Sequence, residues 1–266
     1  MQNTLTRPIA EGRTAEVYAW QDDSILKLYR EWCPPDWMEY EYKVVHAVVD
    51  AGIPTPAAKE CVEVNGRRGI VFERVKGISM LQDINAHPWN VFKHAHTLAE
   101  LQARINQLSL PRLSRSKEGL AYSIQQAPHL DDRLREKALD LLSKLRDGDR
   151  VCHGDFHPGN VMLTDKGAVV IDWMTVTAGN PTADFARTNM ILMVGPKGAG
   201  KQLSLVGRRI IEFFRQMYSR SYLQLMPDTN NERSKWLTVI SASRLAEQIQ
   251  PERDALLQLV KGGLGI

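Results

Sequence analysis

A chain of 266 residues with a formal net charge of +3 can bury one sizeable core or two small ones, and so slight a positive balance gives no ground for nucleic acid as a partner. Its 43% hydrophobic and 24% charged residues are the make-up of an ordinary folded protein. No apolar run approaches the ~20 residues that span a bilayer, and the N-terminus MQNTLTRPIAEGR carries no apolar leader, so no membrane role and a cytoplasmic location are expected. Cys33, Cys61 and Cys152 are odd in number and scattered, and read as reduced, buried small residues.

Thr6 to Trp20 reads as a strand, a turn at Glu11-Gly12-Arg13-Thr14 and a second strand from Glu16. Gly12 stands in that turn either as an ordinary hairpin residue or as a place where backbone N–H groups approach a ligand. After the Asp22-Asp23 turn, Ser24 to Tyr29 is a strand whose period of two puts Ile25, Lys27 and Tyr29 on one face. Lys27 is then either a snorkelling edge lysine or a cation held among apolar neighbours for a purpose. Pro34-Pro35-Asp36 opens a helix that runs to about Ala51-Gly52, with Trp37, Val44, Val45 and Val48 as its apolar stripe. Glu41 falls on that stripe, where an unpaired carboxylate costs several kcal/mol, so it either pairs with Lys27 or sits at the edge of the stripe in water. Lys59 to Val64 and Arg68 to Val75 are strands joined at Asn65-Gly66, a strong hairpin signal.

From Met80 the period becomes helical, over Pro88 to Leu108 and Leu130 to Leu145. His94 and His96, two apart, do not face one another on a helix and make a poor metal pair. Val151 to Trp173, VCHGDFHPGNVMLTDKGAVVIDW, is the stretch that carries chemistry. Asp155, Asn160 and Asp172 are two acids and one amide delivered by short apolar strands. The pattern suits phosphoryl transfer from a metal-bound nucleotide, with one carboxylate near the attacking hydroxyl and an amide and a second carboxylate for Mg²⁺. A transition-metal site built from Cys152, His153, Asp155 and His157 is the rival reading, but strand alternation sends Cys152 away from His153. A second rival is Gly195 to Gln202, which fits G-x-x-x-x-G-K but ends in Gln202 where Ser or Thr should hold Mg²⁺, and reads as a loop between helices. Asp184 opens an apolar helix, Phe185 to Val194, as its cap. Helices over about Lys201 to Leu225 and Asn231 to Gln250, and a last piece from Pro251, complete the chain.

The run HGDFHPGN followed by IDW resembles the aminoglycoside phosphotransferase and choline kinase group, small-molecule kinases with the protein-kinase fold. Protein kinases carry H-R-D-x-x-x-x-N and D-F-G at these places; here Gly154 replaces the Arg, which argues against control by loop phosphorylation. The resemblance implies an α+β, kinase-like fold, with an antiparallel nucleotide-binding lobe over residues 1–76 and a helical lobe over 77–266, and ATP between them. It implies Asp155 as catalytic base or hydroxyl orienter, and Asn160 and Asp172 as ligands of Mg²⁺. Lys27 and Glu41 would place the phosphates, the turn at Gly12 would close over them, and backbone groups near Glu73 and Val75 would meet the adenine edge with Phe72 behind. Asp184 would brace the catalytic loop from behind, with His153 bracing it too, and His157 is open to a substrate role.

From Met174 onward the acids are outnumbered by Arg and Lys. A polycationic aminoglycoside is drawn to acid, so the expected acceptor is a neutral or anionic alcohol. The expected function is transfer of the ATP γ-phosphoryl to a small-molecule hydroxyl. The alternative is a non-catalytic nucleotide-binding or scaffold protein on the same fold, and peptide phosphorylation comes third.

Overall fold

The structure is a computed structural model that describes residues 5, 7–21, 23–198, 204–227 and 232–266, with residues 196–198 in backbone only. The chain divides into two compact units, Met1–Ser79 with Asn160–Thr175, and Met80–Gly159 with Val176–Ile266. The sequence-based boundary at residue 76 left residues 160–175 with the helical part, whereas they pack with the first unit.

In the first unit the strands β1 (Ala10–Glu11), β2 (Ala15–Trp20) and β3 (Ser24–Tyr29) run antiparallel, with Val17 opposite Lys27. Alternation along β3 buries Leu26 and Leu28 with Tyr18 and Val71 and sends Lys27 to the other face. The helix α1 (Pro35–Asp50) follows, with Pro at its first position, where the missing N–H has no intrahelical role. Its buried face is Met38, Glu41, Val44, Val45 and Val48. Trp37, expected on that face, is 38% exposed and stacks edge-on against Trp32, while Met38 takes the inner position. The hairpin β4 (Ala58–Val64) and β5 (Arg67–Glu73) turns at Asn65 and Gly66, whose φ values of 52° and 75° make the double left-handed turn that the Asn-Gly pair predicts. Among the described residues the sheet order is β1-β2-β3-β5-β4. Since β4 is an edge, Cys61 is exposed rather than buried as expected; Cys33 is intermediate and Cys152 buried. The strand β5 stops at Glu73, two residues short of the expected Val75, and β6 (Ile78–Ser79) starts a different sheet.

The second unit opens with α2 (Met80–Ala86), a short 3-10 turn at Pro88–Asn90, and α3 (Val91–Asn106). An unpredicted helix α4 (Ser116–Gln126) precedes α5 (Asp132–Lys144), which Asp131 caps by accepting the Leu134 N–H at 2.8 Å. The strand β7 (Arg150–Cys152) leads to the HGDFHPGN segment. The chain then re-enters the first unit as the hairpin β8 (Val161–Thr164) and β9 (Gly167–Val170), with β6 paired to β8. It returns through β10 (Thr177–Gly179), antiparallel to β7, into α6 (Pro181–Gly198). Asn180, not Asp184, caps α6: its side-chain oxygen accepts the Thr182 N–H at 2.9 Å, and the helix starts four residues before the expected Phe185. The first half of the G-x-x-x-x-G-K motif, Gly195 to Gly198, continues α6, and Lys201 and Gln202 lie outside the described residues. The helix α7 (Leu205–Leu225) packs along α3. Finally come α8 (Arg233–Arg244), two 3-10 turns and α9 (Arg253–Leu264), with the left-handed Gln248 (φ 54°) ending the stretch expected as one helix to Gln250. Ile124, Ala138, Met190, Trp236, Val239 and Val260 join α4, α5, α6, α8 and α9 in one apolar core. No helix of the described residues is long and apolar enough to cross a membrane.

Candidate active site

In the first unit the lysine of β3 meets the carboxylate of α1. The Lys27 ammonium donates to both Glu41 oxygens, at 2.8 and 2.9 Å, and to Asp172 Oδ1 at 2.7 Å. Burial alone would lower the lysine pKa, but the charges of Asp172 and Glu41 outweigh it and hold Lys27 above its usual range, so it stays an ammonium. Glu41 is 1% exposed and takes a further hydrogen bond from the Tyr29 hydroxyl. Burial, and then the Glu41 charge, push that phenol well above its usual pKa, which keeps it a donor. The edge-of-stripe reading of Glu41 is thereby excluded, and so is the snorkelling reading of Lys27, since its head group is tied down.

The β8–β9 hairpin explains how twelve residues of separation bring Asn160 and Asp172 to one end. Val161 pairs with Val170, and one step outward the Ile171 N–H donates to the Asn160 carbonyl at 3.0 Å. Asp172 then adopts φ 65°, a left-handed conformation that short polar residues tolerate best. This bend lets Trp173 bury to 1% exposure with its indole N–H on the Val170 carbonyl, while the Asp172 side chain stays 42% exposed. Asn160 and Asp172 thus flank the same end of the hairpin, and an amide and a carboxylate carry hard oxygen donors of the kind Mg²⁺ takes. Gly12 lies in the exposed β1–β2 turn; its N–H donates to the Ala15 carbonyl at 2.8 Å, and its carbonyl accepts from Arg30 at 3.1 and 3.3 Å. Glu73 ends β5 with its N–H on the Ala57 carbonyl, and Val75 follows in the irregular stretch before β6.

In the second unit the loop that carries Asp155 is held through its backbone. Gly154 has φ 79°, where a side chain is strained. Its N–H donates to Asp184 Oδ1 at 2.9 Å and its carbonyl accepts from the Arg187 guanidinium. Buried His153 accepts the Asp155 N–H on Nδ1 at 3.3 Å, and His157 Nδ1 accepts the Gly159 N–H at 3.0 Å. The Asp155 carboxylate lies 3.7 Å from His157 Nε2, too long for a hydrogen bond. Burial works to raise the Asp155 pKa, but His157, Arg187 and His153 together hold it well below the usual carboxylate range. The transition-metal reading fails on geometry. His153 Nδ1 is engaged with the loop, burial pushes the Cys152 thiol up away from thiolate, and the described residues hold no cluster of three His, Cys, Asp or Glu fit for a metal.

The phosphotransferase enzyme family model matches residues 6–228 of the sequence. The chain belongs to that family. No curated protein matches the sequence. Among solved structures, a thermostable mutant of the aminoglycoside phosphotransferase APH(4)-Ia, in ternary complex with AMP-PNP and hygromycin B, superposes with a TM-score of 0.66 at 14% identity, covering 99% of this chain and 91% of that one. The amicoumacin kinase hAmiN, bound to AMP-PNP, Ca²⁺ and Ami, gives 0.67 at 14% identity over 99% and 88%. A choline/ethanolamine kinase family protein from Mesorhizobium loti gives 0.58 at 12% identity over 99% and 86%. They share with this family member the kinase-like α+β fold.

Behind Asp184 the second unit holds a buried polar network that sequence reasoning missed. Gln102 and Asn106 of α3 each donate to Asp184 Oδ2 at 3.0 Å, and Asn106 also donates to the Val151 carbonyl at 2.8 Å. From α7, Tyr222 donates to Asn106 at 2.7 Å and Tyr218 donates to Gln102. Gln102 also donates to Thr188 Oγ1 at 3.0 Å. The signal was present in the spacing: Gln102/Asn106, Tyr218/Tyr222 and Asp184/Thr188 are pairs one helical turn apart on otherwise apolar faces. Asp184 therefore braces the loop that carries Asp155 and does not cap α6.

Proposed function

We propose that this member of the phosphotransferase family transfers the γ-phosphoryl group of ATP to a hydroxyl of a small, neutral or anionic molecule. The observation that carries the reading is Lys27, buried and charged, held by Glu41 while its third proton rests on the exposed Asp172. In this reading Lys27 gives up the Asp172 oxygen for a phosphate oxygen and keeps Glu41 as its anchor. Asn160 and Asp172 hold Mg²⁺, whose charge when bound offsets that of the phosphates. Asp155, kept ionised by its neighbours, orients the acceptor hydroxyl. The hydroxyl oxygen bonds to the γ-phosphorus as the bond to the β,γ-bridging oxygen breaks and ADP leaves, and the hydroxyl proton passes to Asp155 late in that step. The turn at Gly12 covers the phosphates, and the backbone at Glu73 and Val75 meets the adenine edge. The exposed, cation-clamped Gly12 turn and the end of β5 at Glu73 are compatible with those roles.

Charge supports the acceptor class. Of the described acids beyond Met174, Glu212, Glu247, Glu252 and Asp254 are each ion-paired with an arginine, and Asp184 is buried, so only Glu232 is left to attract a polycation. The acids of α4 and α5 are interleaved with Lys117, Arg133, Arg135, Lys137 and Lys144. The test is ADP release with Mg-ATP and a panel of sugars, hydroxy acids and kanamycin, with the phosphorylated product identified by mass. Phosphorylated sugar or hydroxy acid is the expected product; phosphorylation of kanamycin alone would sink the acceptor assignment. Mg-ATP binding with no turnover of any alcohol would favour a non-catalytic role.

A further inference from the structure

The loop that carries Asp155 has a glycine where the H-R-D motif of protein kinases has an arginine, yet an arginine reaches that place from elsewhere. Arg187, one helical turn after Asp184 on α6, donates from Nε to the Gly154 carbonyl and from Nη2 to Glu247 Oε1 at 2.9 Å. Glu247 also accepts from Arg244 at 2.7 Å, and Arg244 donates on to Glu252 at 2.9 and 3.2 Å. Side-chain exposures are 15% for Arg187, 12% for Arg244, 3% for Glu252 and 26% for Glu247, so two cations and two anions balance out of water. Only an arginine has the fork to serve a carbonyl and a carboxylate together. Where phosphorylation controls a kinase, an added phosphate orders a loop by meeting arginine.

We propose that Arg187 is a positioning residue: it fixes the catalytic loop through Gly154, using Glu247 of the C-terminal segment as a built-in, permanent carboxylate where a regulated kinase uses a phosphate. The inference rests on the phosphotransfer reading and gives its regulation: the loop is tethered constitutively, and its geometry depends on the segment from Arg244 to Glu252. Asp184 holds the Gly154 N–H independently, so loss of Arg187 leaves the loop attached on one side and displaced on the other. A displacement of that kind slows the chemical step without changing how the nucleotide is bound.

The experiment measures acceptor-independent Mg-ATP hydrolysis, with water as the nucleophile, for wild type, Arg187→Gln, Arg187→Lys, Glu247→Gln and the Arg187→Gln/Glu247→Gln double variant, each with its thermal midpoint. Arg187→Gln should lower kcat about 10- to 100-fold with KM for Mg-ATP changed less than about twofold. Arg187→Lys should recover part of the loss, and Glu247→Gln, the more exposed partner and the variant expected to fold, should lie between. The double variant should be no slower than Arg187→Gln, because the two side chains act as one unit. A wild-type kcat in Arg187→Gln, or losses that multiply in the double variant, would overturn the tether alone. A wild type that neither hydrolyses Mg-ATP nor is stabilised by it would overturn the phosphotransfer reading, and the tether with it.

Discussion

Asp155 shows how one residue's chemistry is set by its neighbours. Desolvation works against its charge, but His157 at 3.7 Å, with Arg187 and His153, wins and depresses its pKa. A depressed carboxylate contributes its stability above its unfolded pKa of about 4 and loses it only as pH falls through the lower folded value. Asp155 therefore stays ionised through mild acid, and the acid limb of the rate profile down to about pH 4 is not its titration. Replacing His157 by Ala removes the imidazole nearest the carboxylate, the first of the groups that lower its pKa, so the Asp155 pKa rises and an acid limb moves up toward the ordinary carboxylate range. Asp155→Asn should cost about 10²- to 10⁴-fold in rate at every pH and should also lower the midpoint, since it gives up the stability that the ionised carboxylate contributes. An acid limb in His157→Ala identical to that of wild type would show that His157 does not set the charge of Asp155.

Among the elements, β6 and the β8–β9 hairpin carry the most for the least length. The pairing Ile78↔Leu163 fastens the hairpin that ends in Asn160 and Asp172. Gly77 makes this possible, since a Cβ there would sit 2.1 Å from the Leu163 carbonyl oxygen and 2.9 Å from its carbon, both backbone atoms that cannot move aside. Gly77→Ala should therefore destabilise by about 3 kcal/mol, the upper end of ordinary substitutions. Gly119→Ala, inside α4 with nothing within 4 Å of its would-be Cβ, should stabilise by about 0.5–1 kcal/mol. Urea midpoints for the two variants check this, and an undisturbed Gly77→Ala would mean that β6 does not fasten the hairpin. The contrast also marks what was legible. Period and punctuation gave β3 to the residue, and α1 to within a residue or two. They did not give Gly77, whose constraint lies in a contact 86 residues away, nor the inward turn of Met38 over Trp37, which packing decides. Gln102, Asn106, Tyr218 and Tyr222 were passed over because a polar residue on an apolar face reads as noise until its partner on another helix is seen.

At the scale of the whole molecule, the boundary between the two units falls inside the motif itself, between Gly159 and Asn160. Lys27, Glu41, Asn160 and Asp172 belong to the first unit and Asp155 to the second, so a sequence motif contiguous in the chain serves two packing units. Lys201, with the last part of the G-x-x-x-x-G-K motif, is remote from Lys27 in sequence and gives a control for where nucleotide binds. Ligand at 100 times its dissociation constant adds about 2.7 kcal/mol to stability, a rise of several degrees for a chain of this size. Lys27→Met lowers the midpoint by itself, because it leaves Glu41 buried with Tyr29 but without its cation. The informative quantity is therefore the shift on adding Mg-ATP, measured against each variant's own ligand-free midpoint. Wild type and Lys201→Ala should shift equally and only with Mg²⁺ present, while Lys27→Met should lose at least about half the shift, since it removes the cation proposed to meet the phosphates. A shift that vanished with Lys201 and survived the loss of Lys27 would move the nucleotide to the glycine-lysine motif and leave the Lys27–Glu41–Asp172 cluster as a structural ion pair.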